Sequence, residues 1–186
     1  SSEEQLLDIK SFKVFLNKKN EEFLLFLPNI KEIIFKIENS SFAFKKDINK
    51  IDENLYGVSL LNKKKSNKFF YLYSEKFSLP GYDKKNKATI SVAYKYNKNT
   101  NKFLQVNHDK NLFVTFRTQE NFEYRFCINA PFRMTESRVS VREGISENKN
   151  VLKQCEEIIV NSILNLKKNK ILNISFFDLL PLEKDK

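Results

Sequence analysis

What most constrains this chain is a single change of period. Between Ile30 and Phe132 the apolar residues fall in short runs, "IKEIIFKIEN", "SFAFKK", "LYGVSLL", "KFFYLYSEKF", "ATISVAYKYN", "NLFVTFRT" and "EYRFCINAPF", parted by turns rich in Lys, Asn and Gly. Several alternate apolar with polar residues, as at Ile90, Val92, Tyr94 and Tyr96, which is the spacing of a strand half exposed to water. Past residue 146 the spacing turns helical. In "ENKNVLKQCEEIIVNSILNLKK", residues 147–168, an apolar stripe runs through Val151, Leu152, Cys155, Ile158, Ile159, Ser162, Ile163 and Leu166. Many strands followed by one amphipathic helix predict an α+β fold: a mostly antiparallel or mixed sheet covered by the long C-terminal helix.

Local signals sharpen that expectation. Ser146 is placed to cap the helix, and Lys167, Lys168 and Lys170 suit its negative C-terminal end. The link "RTQENFE" is expected to join the last two strands as a hairpin, and "NISFFDLLPLEKDK" to give a brief strand or a turn capped by Ser175 and ended by Pro181. Residues 1–27 have a mixed period, from Leu6, Leu7, Ile9 and Phe12 to Val14, Phe15 and Leu16, with a helical turn around 21–26 before Pro28 and Asn29. The domain reading is therefore residues 1–29 as a linker or the end of a preceding domain and 30–186 as one α+β domain.

A hydrophobic fraction of 41% in 186 residues is enough for one moderate core. No run approaches the roughly 20 apolar residues that span a bilayer, and "SSEEQLLDIK" has neither a basic start nor an apolar stretch of the secretory kind, so a cytoplasmic location away from membranes is expected. A first residue other than Met means that the chain is either processed or cut from something longer, and a piece of a longer protein is the expectation. Cys127 and Cys155 lie in apolar runs and read as buried free thiols, and His108, in "QVNHDKN", reads as a loop residue with no second ligand beside it.

The formal charge of +10 raises the question of an anionic partner. Its 28 lysines scatter through loops such as "NKKKSNK" and "NKNTNK", whereas its 5 arginines, Arg117, Arg125, Arg133, Arg138 and Arg142, all fall within 26 residues. A guanidinium grips phosphate or carboxylate through a planar fork that an ammonium lacks, so this segment is the candidate anion site. The bland alternative is a set of surface ion pairs with Glu136, Glu143 and Glu147. With only Gly57, Gly81 and Gly144, the chain has no glycine-rich phosphate loop of its own.

The strand ending "INAPF", then "RMTESR", a short polar turn and a long helix resemble the second domain of Hsp90-like ATPases of the GHKL superfamily, in particular the sacsin-like and bacterial ATP-binding group. "LLFLPNIKEI", residues 24–33, is similar to the chain of that group as it leaves the ATPase domain. The resemblance implies a middle or transducer domain, inactive alone, that supplies an arginine to the γ-phosphate of ATP when the domains close. ATP and Mg2+ would be held mainly by an N-terminal ATPase domain of the same protein, and the full-length protein would form a homodimer. Arg138 of "ESRVS" matches the family's "NISRE" arginine, with Arg133 and Arg142 as neighbours in the same role. The competing expectation is a basic nucleic-acid-binding module whose strand aromatics, as in "KFFYLYSEKF", stack on bases.

Overall fold

The computed structural model of the protein describes residues 21–37, 40–62, 67–78, 87–106, 111–120, 123–137 and 140–181. Five strands form an antiparallel meander in which each pairs with the next: β1 (Glu32–Ile37), β2 (Ser40–Lys50), β3 (Leu55–Asn62), β4 (Lys68–Phe77) and β5 (Ala88–Asn97). Short strands complete the sheet: β6 (Lys102–Phe103), β7 (Leu112–Val114), β8 (Phe116–Arg117) and β9 (Cys127–Asn129). The spatial order is β1-β2-β3-β4-β5-β9-β7-β8, with β6 on β5. One long helix, α1 (Ser146–Lys168), lies on one face, and a 3-10 helix (Glu21–Phe26) lies on the other.

Alternation along the strands sorts the core into two clusters. Val92, Tyr94 and Ile128 point to α1 and meet Val151, Cys155, Ile158 and Ile159. Ala93, Leu72 and Cys127 point the other way and meet Leu24, Leu25 and Phe26. Strand β5 is consequently buried on both faces from Ile90 to Tyr94, which corrects the expectation of strands half exposed to water. The stripe of α1 also differs at one place: Leu152 is exposed, while Val151, Cys155, Ile158, Ile159, Ser162 and Leu166 are buried. Tyr94 ties the layers together. Its hydroxyl lies 2.6 Å from Ser162 Oγ, which itself donates to the Ile159 carbonyl, and burial pushes the phenol well above its usual range.

The expected hairpin between the last two long runs is not formed, because β7 and β9 pair in parallel, Leu112 opposite Ile128 and Phe113 opposite Asn129. Thr115 adopts a left-handed backbone, φ 66°, and reverses β7 into β8; its N–H donates to Asn129 Oδ1 at 2.7 Å, which fixes the reversal. Cys127 and Ile128 are both buried on opposite faces, so β9 gains most between β5 and β7, inside the sheet. Two capping expectations also change hands. Ile145 takes the cap position of α1 with an extended backbone while Ser146 starts the helix and donates to Glu147 Oε2. In the tail a 3-10 helix (Ile174–Leu179) is capped by Asn173, whose Oδ1 accepts from Ser175 N, and Ser175 Oγ accepts from Phe103 N.

Residues 21–29 pack on the sheet. Lys46, 1% exposed, shares the inward face of β2 with Phe42 and Phe44, and its ammonium donates to the carbonyls of Leu24 and Leu27 at 2.8 and 2.5 Å. Glu21 and Glu22 are buried as well, paired with Lys68 at 3.1 and 2.6 Å. Burial of Leu24, Leu25 and Phe26 contributes roughly 1.5–3 kcal/mol each. Among the described residues no helix is long and apolar enough to cross a membrane.

Candidate functional site

The 3-10 helix covers only part of its face of the sheet, and the remainder is an open cleft of about 1120 Å3. Leu25 and Phe26 form one wall; Leu72, Ser74, Ser91 and Asn129 line the floor. The polar floor follows from register, since Ser74 on β4 faces Ser91 on β5, which faces Asn129 on β9. Ser74 Oγ donates to Ser91 Oγ at 2.8 Å, so the hydroxyls form a chain across strands. Lys76, Lys87 and Arg133 stand on the lining with exposed side chains, against one carboxylate, Glu75, which accepts a short hydrogen bond from Tyr73. Burial, helped by that carboxylate, pushes the Tyr73 phenol up to about 12.

The sequence cluster of arginines divides in space. Arg117 belongs to β8: its guanidinium sits 3.9 Å from Glu22 Oε2 and over the Phe113 ring, on the covered part of the sheet. Arg125 lies on the approach to β9, its N–H donating to the Leu179 carbonyl. Arg133 and Arg142 come together. They face each other at the base of a small hairpin, where Arg142 N donates to Arg133 O at 2.9 Å, Met134 bridges Val141, and Thr135 N donates to Ser140 O. Arg138 lies outside the described residues, as does His108.

Asn148 holds this hairpin. From the first turn of α1, 5% exposed, its Oδ1 accepts from Arg133 N at 2.7 Å while its Nδ2 donates to Arg133 O and Arg142 O at 3.0 and 2.7 Å. The backbones of both arginines are thus fixed while their side chains remain exposed. Glu147 lies close by. Hydrogen bonds from its own backbone N–H and from Ser146 hold its carboxyl below the usual range, and the positive charges of Arg133 and Arg142 add to this. That proximity is the part of the ion-pair alternative found in the fold.

Other residues singled out in the sequence take structural roles. Cys127 and Cys155 are free and buried, and burial pushes both thiols up to about 12, which makes them poor nucleophiles. The aromatics of "KFFYLYSEKF" pack with the core: Tyr71 meets Phe69 and Tyr96 edge to face and Phe103 at a tilt. Among the described residues no group of three or more His, Cys, Asp or Glu could hold a metal ion.

Sequence reasoning missed Asn148 and the Ser74–Ser91–Asn129 row. The period-two spacing of Phe42, Phe44 and Lys46 was available as a sign that Lys46 turns inward. The chain matches no protein-family model, no curated protein and no solved structure.

Proposed function

We propose that this chain is the middle or transducer-like domain of an Hsp90-like ATPase, supplying an arginine to the γ-phosphate of ATP held by another domain. The observation that carries the reading is the Arg133–Arg142 hairpin: two guanidiniums on a backbone locked by Asn148, with Arg133 lining an open cleft beside Lys76 and Lys87. A fixed base and an exposed head suit a cation that must meet a phosphate arriving from outside. Arg138, two residues before Ser140 in the same segment, keeps the first place that the sequence motif assigns it, and Arg133 and Arg142 follow.

The residues present fit one part of such a site. Exposed guanidiniums can grip a terminal phosphate in a bidentate fork, whereas the described residues hold no acidic cluster for magnesium, so nucleotide and Mg2+ would rest on the preceding ATPase domain. Bound there, ATP supplies the phosphoryl group; this chain contributes positive charge where charge develops in the transition state. Alone it is expected to turn over no ATP.

The test is Arg138→Ala, Arg133→Ala and Arg142→Ala in the intact protein, with folding verified by thermal melts. The arginine in contact should lower kcat by ~10²–10³-fold with little change in KM. Near wild-type turnover by all three folded variants would end the reading. The nucleic-acid alternative draws on the charge of +10, but of its proposed stacking rings Phe70 and Tyr73 are buried in the core and Phe69, Tyr71 and Phe77 are partly buried against it. Tight, salt-sensitive binding of DNA or RNA by this chain would put it in first place.

A further inference from the structure

Strand β1 closes one end of the sheet, with β2 as its neighbour on one side and no strand of the described residues on the other. Its hydrogen-bonding phase can be read from one contact: Lys46 N donates to Lys31 O at 2.7 Å, and the ladder then runs Glu32 opposite Lys45 to Ile37 opposite Ser40. Antiparallel pairs alternate between those that exchange hydrogen bonds and those that do not. Lys31 bonds to β2, so Ile33 and Phe35 do too, and Glu32, Ile34 and Lys36 turn their N–H and C=O groups outward. Those same residues are exposed; Ile34, an isoleucine on the rim, is 51% exposed.

We infer that this edge pairs with the β1 edge of a second copy of the chain, antiparallel and centred on Ile34. The sequence "EIIFKI" is self-complementary in that register. Ile34 falls opposite the second copy's Ile34, Glu32 opposite its Lys36, and Lys36 opposite its Glu32. These three pairs are also the ones whose backbone groups point outward, so each can exchange both of its hydrogen bonds. The charge pattern selects this register: centred on Ile33 or Phe35, outward-facing groups would still meet but Glu32 and Lys36 would no longer stand opposite each other, and a slip of one residue would set outward-facing groups against inward-facing ones. An exposed edge ordinarily carries charge to repel further strands; here the two charges are of opposite sign and symmetric about Ile34, which permits one pairing and disfavours slipped ones. The formal charge of +10 on each copy opposes association, so the dimer should be reversible and favoured by concentration.

Sedimentation equilibrium of the purified chain gives the first reading, with dimer growing in as concentration rises. Lys36→Glu places like charges opposite each other at two symmetric positions and should weaken association roughly tenfold or more. Glu32→Lys should do the same. An equimolar mixture of the two single variants should regain a dimer, because each then meets its opposite charge, and the double exchange Glu32→Lys/Lys36→Glu should regain it alone. Ile34→Cys should form an intermolecular disulfide on mild oxidation, since paired Cα atoms in this register stand ~5.5 Å apart; Ile48→Cys, also exposed but on β2, should not. A monomer at every concentration, or a dimer indifferent to both charge variants, would overturn the inference.

Discussion

Asn148 spends its whole side-chain amide on the two backbones that carry Arg133 and Arg142, accepting one hydrogen bond and donating two. Because the group is 5% exposed, a replacement that cannot bond leaves an N–H and two carbonyls without those partners in a poorly hydrated place. Asn148→Leu, close in volume, should therefore lower stability by about 1–3 kcal/mol, read from urea denaturation midpoints. Asn148→Asp, which keeps the acceptor toward Arg133 N but not the two donations, should fall between. Neither residue nor role was legible in the sequence. Asparagine is frequent throughout this chain, so one more in "SENKN" carried no signal, and the bonds join positions 15 and 6 residues apart that only the turn before α1 brings together. The arginines were legible as a group, but not their separation: Arg117 looked like a member of the anion site and instead pairs with Glu22, from a segment nearly a hundred positions earlier.

At the scale of elements, the long strands and α1 were legible because each has one dominant period, and the buried free cysteines because each sits in an apolar run. The pairing of β7 with β9 was not, since it rests on Thr115 taking a left-handed backbone that a β-branched residue rarely adopts, stabilised by the distant Asn129 side chain. Another long-range bond fixes the far end of α1. Asp52, in the turn between β2 and β3, accepts from Lys168 Nζ at 2.7 Å and from Asn169 Nδ2 at 3.1 Å. The Lys168 hydrogen bond, with smaller help from Asn169 and the Glu53 N–H, holds the Asp52 carboxyl far below the usual carboxylate range. A carboxyl depressed in the fold binds fewer protons there than in the unfolded chain, so its contribution is present above the ordinary value of 3.8 and is lost as pH falls below it. Asp52→Asn should accordingly be less stable than the unmodified protein at neutral pH, modestly because the site is exposed, and the two should converge in acid. Denaturation midpoints measured across the acid range check both halves, and a difference that persisted at low pH would show that the tether acts through packing.

For the molecule as a whole, the two cysteines report on opposite layers. Cys155 lies on the inner face of α1 and Cys127 on the sheet beneath the 3-10 helix of residues 21–26, so each thiol is buried in a different interface of the same sheet. With both thiols pushed up to about 12 by burial, alkylation at neutral pH has to wait for exposure. The sequence placed a boundary after residue 29, which would let the leading segment leave the sheet by itself. Against easy departure stand the two carbonyls held by Lys46, the Lys68 pairs with Glu21 and Glu22, and three buried apolar side chains. Together these hold the segment on the sheet, and the layers should open in one cooperative step. The measurement is alkylation of the unmodified chain in low denaturant, followed by peptide mapping of each cysteine. Equal protection of Cys127 and Cys155 is the expected outcome, tracking the free energy of global unfolding. If Cys127 were alkylated well ahead of Cys155, residues 21–29 would detach as a separate unit, and the cleft, whose wall they form through Leu25 and Phe26, would exist only while that unit stays docked.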